Sequence, residues 1–546
     1  MSFFEKHFAK YRRRSRLFAI ACWQAGWRAA LLLALGAITA LGFRPLGAWP
    51  LALLGVAALI ALITRAPTWP RAALIGWLWG VGHFTLGNNW IATAFTYQAK
   101  MPPWLGWVAV VGLSLYLALF PALVAAAGWF ARRDPVARVL GFAGAWIVGE
   151  ALRGWVFTGF PWNPLGATLL GDFAHPGLAS LAPWLGTYGL SGLAALLAGL
   201  LGEGLRLLIA GDHRRGACLA AAPVALGAGA LLLPSPAALP GHIPYTLIQP
   251  NVAQEDLDDP AHYDRQYLDS AKLSAPQASA TYRPGQPRLV LWPESGVPDY
   301  VRDGYPAWYY QYTFAGDPWM ARWRLARAIG RGGMLLTGTV DLDFKGVNAI
   351  SGQNVVVGID DQGRIAAHYT KAHLVPLGEY LPFRAVLKPL GLERVIPGDI
   401  DFRPGPGPQT LNLGPLGKAG IQICYEIIFP GAVTDRATRA DYIFNPSNDG
   451  WYGPWGPPQH LAQARLRAIE EGLPVLRSTT NGISAVIDAR GVVRQSALRG
   501  VSARLDGVVP AALPPTLFAR YGNMIPLALA TLLLAACALV LRLRRR

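Results

Sequence analysis

Cysteine is nearly absent, with four residues in 546, so a disulfide-stapled scaffold is excluded. There is no Cys-x-x-Cys, no His-Glu-x-x-His and no Cys/His cluster, so neither a metal nor any other cofactor has sequence support. Charge is scarce too: 15% of residues are charged, against about 25% in soluble domains. Acidic residues are rarest in the first 240 positions, six against eighteen Lys and Arg. Apolar residues fill the gap, at 53% of the chain, with a mean hydropathy of +0.29. That excludes a disordered chain and argues against a purely soluble one.

The net charge of +17 raises nucleic acid as a partner. A nucleic-acid binder carries its basic face on a soluble domain. Here the excess lies within residues 1–240 and in the tail at Arg542, Arg544, Arg545 and Arg546, while 241–522 is close to neutral. The distribution fits membrane topology, and no nucleic-acid partner is expected.

Apolar spans fall near 29–43, 48–64, 72–95, 106–127, 139–156, 186–205 and 217–233, with an eighth at 524–541. The stretch from Trp104 to Phe130 has no charge and exceeds the roughly 20 residues that a spanning helix needs. Loop charge gives the orientation. Lys6, Lys10, Arg12, Arg13, Arg14 and Arg16 precede the first span. Arg65 and Arg71, then Arg132, Arg133 and Arg138, then Arg206, Arg214 and Arg215 mark alternate loops. The intervening loops hold only Arg44, Lys100 and Arg153. Both termini are therefore expected in the cytoplasm and 241–522 outside, with the basic N-terminus as an uncleaved anchor. The expected domains are 1–240 with seven transmembrane helices, 241–522 as an extramembrane domain, and 523–546 as a last helix with a basic tail.

Within 241–522, β-rich runs at 245–248, 288–292, 334–338, 354–358, 365–369, 420–423, 442–445 and 484–487 alternate with longer segments. Helical patterns fit 260–273, 318–329 and 459–471. This alternation predicts an α/β domain. Three of its strand ends carry chemistry. Cys424 follows Ala419-Gly420-Ile421-Gln422-Ile423, the setting of an exposed nucleophile on a strand-to-turn elbow, with backbone N–H groups nearby to hold an oxyanion. The competing reading is a buried small hydrophobe. Leu289-Val290-Leu291-Trp292-Pro293 ends at Glu294, and Ile365 to Thr370 ends at Lys371. Taken singly, each is equally a surface pair or a cap. Strand ends facing one way form a crevice, where Glu294 can deprotonate the thiol and Lys371 can hold developing negative charge.

Trp292-Pro293-Glu294, then Lys371-Ala372-His373-Leu374-Val375-Pro376-Leu377-Gly378-Glu379-Tyr380, then Ile423-Cys424-Tyr425-Glu426 resemble the Glu–Lys–Cys signature of the nitrilase superfamily. Gly87-Asn88-Asn89-Trp90-Ile91, the run from Leu152 to Trp162, Gln249-Pro250-Asn251-Val252-Ala253-Gln254 and Asn448-Asp449-Gly450-Trp451-Tyr452-Gly453 extend the likeness to its membrane-bound branch, the apolipoprotein N-acyltransferases. Pro250 departs from that pattern, where the branch has Gly. The resemblance implies eight transmembrane helices and a nitrilase-like αββα sandwich on the periplasmic face of a bacterial inner membrane. It implies a phospholipid acyl donor, phosphatidylethanolamine being expected, a thioester on Cys424, and transfer to the free amine of a diacylated apolipoprotein. Glu294 would be the base and Lys371 the stabiliser of tetrahedral intermediates. Glu379, the N–H of Tyr425 and Glu426 would be supporting or oxyanion residues. Trp90, Trp155 and Trp451 are candidates for the substrate path, against the interfacial aromatic belt of most membrane proteins. The rival readings are a membrane-tethered nitrilase-type amidase and a transporter with a ligand-binding domain.

Overall fold

The computed structural model describes residues 26–97, 102–382, 384–387, 389 and 400–545. The basic arm at 6–16, Cys22, Lys100 and Arg546 lie outside the described residues.

Seven apolar helices come first: α1 (Gly26–Ala40), α2 (Trp49–Arg65), α3 (Trp69–Gly87), α4 (Trp104–Phe130), α5 (Pro135–Arg153), α6 (Ala182–Ile209) and α7 (His213–Leu232). Local chemistry sets their ends. The Asp134 carboxylate caps α5 by accepting from the N–H groups of Val136 and Ala137, both at 2.9 Å, and Pro135 opens the helix where a missing N–H costs nothing. α3 stops at Gly87 rather than running to 95, because Asn88 and Asn89 turn the chain into a short separate helix, Ile91–Ala94. α4 is interrupted at Ala118, where Pro121 cannot donate to the preceding turn.

The chain between α7 and the last helix holds two six-stranded sheets. The first is ordered β12-β1-β2-β3-β4-β5 and the second β11-β10-β9-β8-β7-β6. In chain order the first contains β1 (Pro244–Gln249), β2 (Arg288–Leu291), β3 (Gly333–Lys345), β4 (Asn348–Asp360), β5 (Ile365–Thr370) and finally β12 (Ala503–Val508). The second contains β6 (Thr410–Asn412), β7 (Lys418–Ile421), β8 (Tyr442–Ser447), β9 (Val475–Thr479), β10 (Ser484–Ile487) and β11 (Val493–Ala497). Each sheet is built on three parallel strands, β1-β2-β3 and β7-β8-β9, extended by antiparallel pairs.

The period-2 alternation of strands sorts the side chains into layers. Leu289 and Leu291 of β2 and Tyr442 and Phe444 of β8 share the core between the sheets. Their neighbours point outward: Val290 packs with Ala321, Leu325 and Ile329 of α9 (Pro318–Ile329), which follows α8 (Tyr263–Ser274). Ile443 packs with Leu461, Ala464 and Ala468 of α10 (Gly456–Glu471). The result is an αββα sandwich.

α10 joins the two parts of the molecule. One face lies on the second sheet, and Ala462, Leu466 and Ile469 pack into the helical bundle. Its polar groups are spent there as well: the Glu470 carboxylate accepts from the Thr187 N–H of α6 at 2.5 Å and forms an ion pair with the Arg467 guanidinium at 2.7 Å. α11 (Met524–Leu543) then returns the chain to the bundle against α5. A Cβ on Gly141 would sit 2.9 Å from Cys537 Sγ, so glycine permits that close approach.

Among the described residues, five apolar helical segments, Trp104–Phe130, Pro135–Arg153, Leu178–Ile209, His213–Leu232 and Met524–Leu543, are long and apolar enough to cross a membrane. α1 and α2 are apolar but shorter; the 17 residues of α2 rise about 26 Å, against a hydrocarbon core of about 30 Å.

Candidate active site

Glu294, Lys371 and Cys424 come from different strands and meet. Glu294 lies three residues past β2, Lys371 directly follows β5, and Cys424 lies three past β7 of the facing sheet. The turn at Glu294 fits because residue 338 on β3 is glycine: a Cβ there would lie 2.7 Å from the Glu294 Cα. Backbone strain surrounds the three. Cys424 itself has φ of 49°, Ser295 beside Glu294 has 53°, and Leu377, between Lys371 and Glu379, has 64°. A non-glycine residue in this region costs about 1–3 kcal/mol and persists only where packing over-determines it.

The Lys371 ammonium lies 2.9 Å from Glu379 Oε1 and 3.5 Å from Glu294 Oε1. Asn354 Nδ2, on β4, donates to both carboxylates, at 2.7 Å to Glu294 and 3.0 Å to Glu379. The second oxygens are held by backbone: Asn448 N–H donates to Glu294 Oε2 at 2.9 Å, and Val375 N–H to Glu379 Oε2 at 2.8 Å. All of these side chains are buried, so each carboxylate and the ammonium depend on the others for charge compensation. Burial opposes the charge on Lys371, but the carboxylates of Glu379 and Glu294 outweigh it and raise its pKa. Burial, then the charge of Glu294, pushes the Cys424 thiol up, with Lys371 opposing. The sulfur is thus a thiol at rest beside a carboxylate able to take its proton.

The elbow differs from the expected exposed thiol: Cys424 is only 5% accessible. It opens a 3₁₀ turn, Cys424–Ile428, whose first N–H groups, Tyr425 among them, have no acceptor within the turn. A relay buried behind it fixes the Cys424 carbonyl. His460 Nε2 lies 3.0 Å from that oxygen, His460 Nδ1 lies 3.0 Å from Asp449, and Arg477 pairs with Asp449 at 2.7 Å.

Cys424 is covered because the helical bundle closes over it. A cavity of about 310 Å³ has Glu294, Lys371, Glu379 and Cys424 at one end. Its other walls are apolar: Trp90, Ile91 and Phe95 after α3, Leu113 and Tyr116 of α4, and Val156, Phe157 and Phe160 after α5.

Two family descriptions match the chain: an apolipoprotein N-acyltransferase N-terminal domain over residues 35–200 and a carbon-nitrogen hydrolase over residues 265–503. An apolipoprotein N-acyltransferase of Rhodopseudomonas palustris is 33% identical over 95% of this chain and 96% of its own length. One of Bradyrhizobium diazoefficiens is 35% identical over 98% of each chain. The chain belongs to the apolipoprotein N-acyltransferase family. Among solved structures, an amidase of Nesterenkonia sp. AN1 aligns with a TM-score of 0.33 at 18% identity, covering 54% of this chain and 96% of that one.

Against this family background the remaining candidates sort by position. Trp90 and Trp451 line the cavity. Trp155 does not, and it is 76% exposed; Val156, Phe157 and Phe160 line the cavity, although Phe157 is itself 70% exposed. Glu426 sits away from the sulfur and serves as a brace. Its carboxylate accepts from Ile423 N–H at 2.7 Å, Ala372 N–H at 2.7 Å, His373 N–H at 3.1 Å and Tyr369 O–H at 2.9 Å, tying the lysine turn to the cysteine elbow. Burial pushes its carboxyl up to about 7, against the pull of those N–H groups.

Glu150 and Arg153 form a buried ion pair at 4.0 Å. Arg153 Nη1 also donates to the carbonyls of Phe160 and Trp162, at 2.7 and 2.8 Å, and so shapes the apolar wall. Asn354, His460 and Tyr452 were not singled out from sequence. Only the Asn-Asp-Gly-Trp-Tyr run around Tyr452 carried a signal. Asn354 sits as one polar residue in a Val-rich strand, and His460 sits inside a helix pattern.

Proposed function

We propose that the chain moves an acyl group from a phospholipid to the N-terminal amine of a diacylated apolipoprotein, with Cys424 carrying it between the two. One observation supports this above all: a single cavity is lined both by Glu294, Lys371 and Cys424 and by apolar residues of the helical bundle. Small amides need no such walls, whereas an acyl chain does.

In this reading Glu294 takes the thiol proton as sulfur attacks the ester carbonyl. The Lys371 ammonium and the Tyr425 N–H hold the resulting oxyanion. The C–O bond breaks, Glu294 returns the proton to the departing lysophospholipid alcohol, and a thioester remains. The acceptor amine then attacks, Glu294 takes its proton, and the C–S bond breaks. Glu379 and Asn354 position Lys371 and Glu294, and Trp90 and Trp451 wall the substrate path. Because the thioester retains acyl-transfer potential, two membrane-anchored substrates can use one site in turn. Phosphatidylethanolamine is the proposed donor.

Purified protein given phospholipid and a diacylated lipopeptide with a free N-terminal amine is expected to yield N-acylated peptide. Free fatty acid as the sole acyl product would mean that water resolves the thioester, and the amidase reading would replace this one.

The reading includes a topology: eight crossings of a bacterial inner membrane, with 1–240 and 523–546 as membrane parts and 241–522 as the periplasmic catalytic domain. The alternating Lys/Arg bias supports it. A periplasm-dependent reporter fused after Gly241 should be active, and the same reporter at the C-terminus silent. Activity at the C-terminus would overturn the placement.

A further inference from the structure

The aromatic wall beside the nucleophile carries one hydroxyl aimed at it. Tyr452 follows β8 and is buried, with its ring 4.6 Å from Trp90 at 72°, 5.8 Å from Trp162 at 68° and 5.8 Å from His460 at 73°. These edge-on contacts fix the ring on three sides. Trp162 is itself anchored by donating its indole N–H to Gln459 Oε1 at 2.8 Å. The Tyr452 hydroxyl lies 3.7 Å from Cys424 Sγ, and among the described residues the sulfur is its one hydrogen-bond partner. A buried hydroxyl with no oxygen or nitrogen partner loses stability unless something else satisfies it. Here that partner is the reacting atom.

We propose that Tyr452 is a further catalytic residue, whose O–H donates to the Cys424 sulfur whenever the sulfur bears negative charge. The proposal rests on the acyl-transfer reading above and adds a role to it. In the first half-reaction the thiol proton passes to Glu294, and sulfur carries developing charge until its bond to the acyl carbon forms. In the second, nitrogen bonds to that carbon, the C–S bond breaks, and its electron pair returns to sulfur. The amine proton goes to Glu294 and from there to the thiolate. The Tyr452 proton stays on its oxygen throughout. Hydrogen bonds to an ionised partner are roughly twice as strong as neutral ones. The contact therefore strengthens as charge builds on sulfur, which is what lowers a barrier rather than merely tightening the resting state. Burial, then the neighbouring thiol, raises the Tyr452 pKa well above the ordinary phenol value, so the group remains a donor. Because Trp90 follows α3 of the helical bundle and contacts the Tyr452 ring, the bundle helps to aim the hydroxyl as well as to form the acyl wall.

Tyr452→Phe keeps the ring in its cage and removes only the oxygen. Full-length wild-type and variant protein, solubilised in detergent, would be treated with iodoacetamide across a pH series. Alkylation would be followed on the Cys424 peptide by mass spectrometry, which separates it from the other cysteines. The midpoint of Cys424 alkylation is expected to move up by about one pH unit, the tenfold loss in thiolate that a missing charged hydrogen bond implies. Acyl transfer should fall by about tenfold through kcat, with KM for phospholipid unchanged. An unshifted alkylation midpoint would overturn the proposal, whether or not the transfer rate changes. The two readings fail differently: absence of an acyl adduct on wild-type Cys424 sinks the acyl-transfer reading, while the alkylation shift is read without any lipid substrate.

Discussion

Replacing Lys371 by either methionine or arginine is expected to lower turnover by well over tenfold, more than about 1.4 kcal/mol of barrier. The two substitutions fail for different reasons. Methionine removes the ammonium that lies between Glu294 and Glu379, leaving two buried carboxylates without the cation that compensates both. Removing one partner from a buried ion pair destabilises a protein by about 3–5 kcal/mol, so the variant should also unfold at a lower temperature. Arginine keeps the charge. Its planar fork cannot place one compact donor where an ammonium sits, and the site is closed, with Lys371 only 1% accessible. Steady-state kinetics of both purified variants, alongside thermal unfolding, provide the check. If either retains more than a tenth of the wild-type rate, Lys371 is not the group that holds the tetrahedral intermediates.

How much of this was legible beforehand depended on whether a feature is local in the chain. Glu294, Lys371 and Cys424 each end an apolar β-run, a pattern visible in a handful of residues, and the structure brings all three together. The helix at 318–329 was read to the residue because Asp317 caps it, Pro318 opens it and Gly330 ends it. β6, β9, β11 and β12 were missed. Arg477 interrupts β9, and its burial is explained by groups distant in the chain, Asn445, Ser447 and Asp449. β12 pairs with β1 across some 250 positions, with charged Arg504 and Asp506 in its run.

The exposed thiol was also misread, because what covers Cys424 comes from the bundle and from Tyr452, neither near it in sequence. Trp155 and Phe157 are indistinguishable as letters. Both are largely exposed, and only Phe157, at φ of 52°, also lines the cavity. The helical pattern at 459–471 does not reveal that α10 is buried on both sides, with groups from α6 and from the loops of the bundle meeting its charged side chains.

If Cys424 carries the acyl group between substrates, phospholipid alone should suffice to form its thioester. Lysophospholipid is then expected before any acceptor is added, in an amount no greater than the enzyme present, and intact mass should rise by one acyl group. Cys424→Ala should yield neither product. Cys424→Ser is expected to lose transfer as well. A hydroxyl is a far weaker acid than a thiol, and Glu294 already has to draw a proton from a sulfur whose pKa burial has raised. Any oxyester that formed would be a poorer donor to an amine than the thioester. Glu294→Gln should bind phospholipid yet stop before the adduct, because the amide cannot accept the thiol proton, although it can still accept the hydrogen bond from Asn448 N–H. Initial rates with both substrates varied should give the parallel lines of a ping-pong mechanism. Intersecting lines, or a full rate in Cys424→Ala, would mean direct transfer between two bound lipids. A cavity of about 310 Å³ leaves little room for that, since each substrate carries more than one acyl chain.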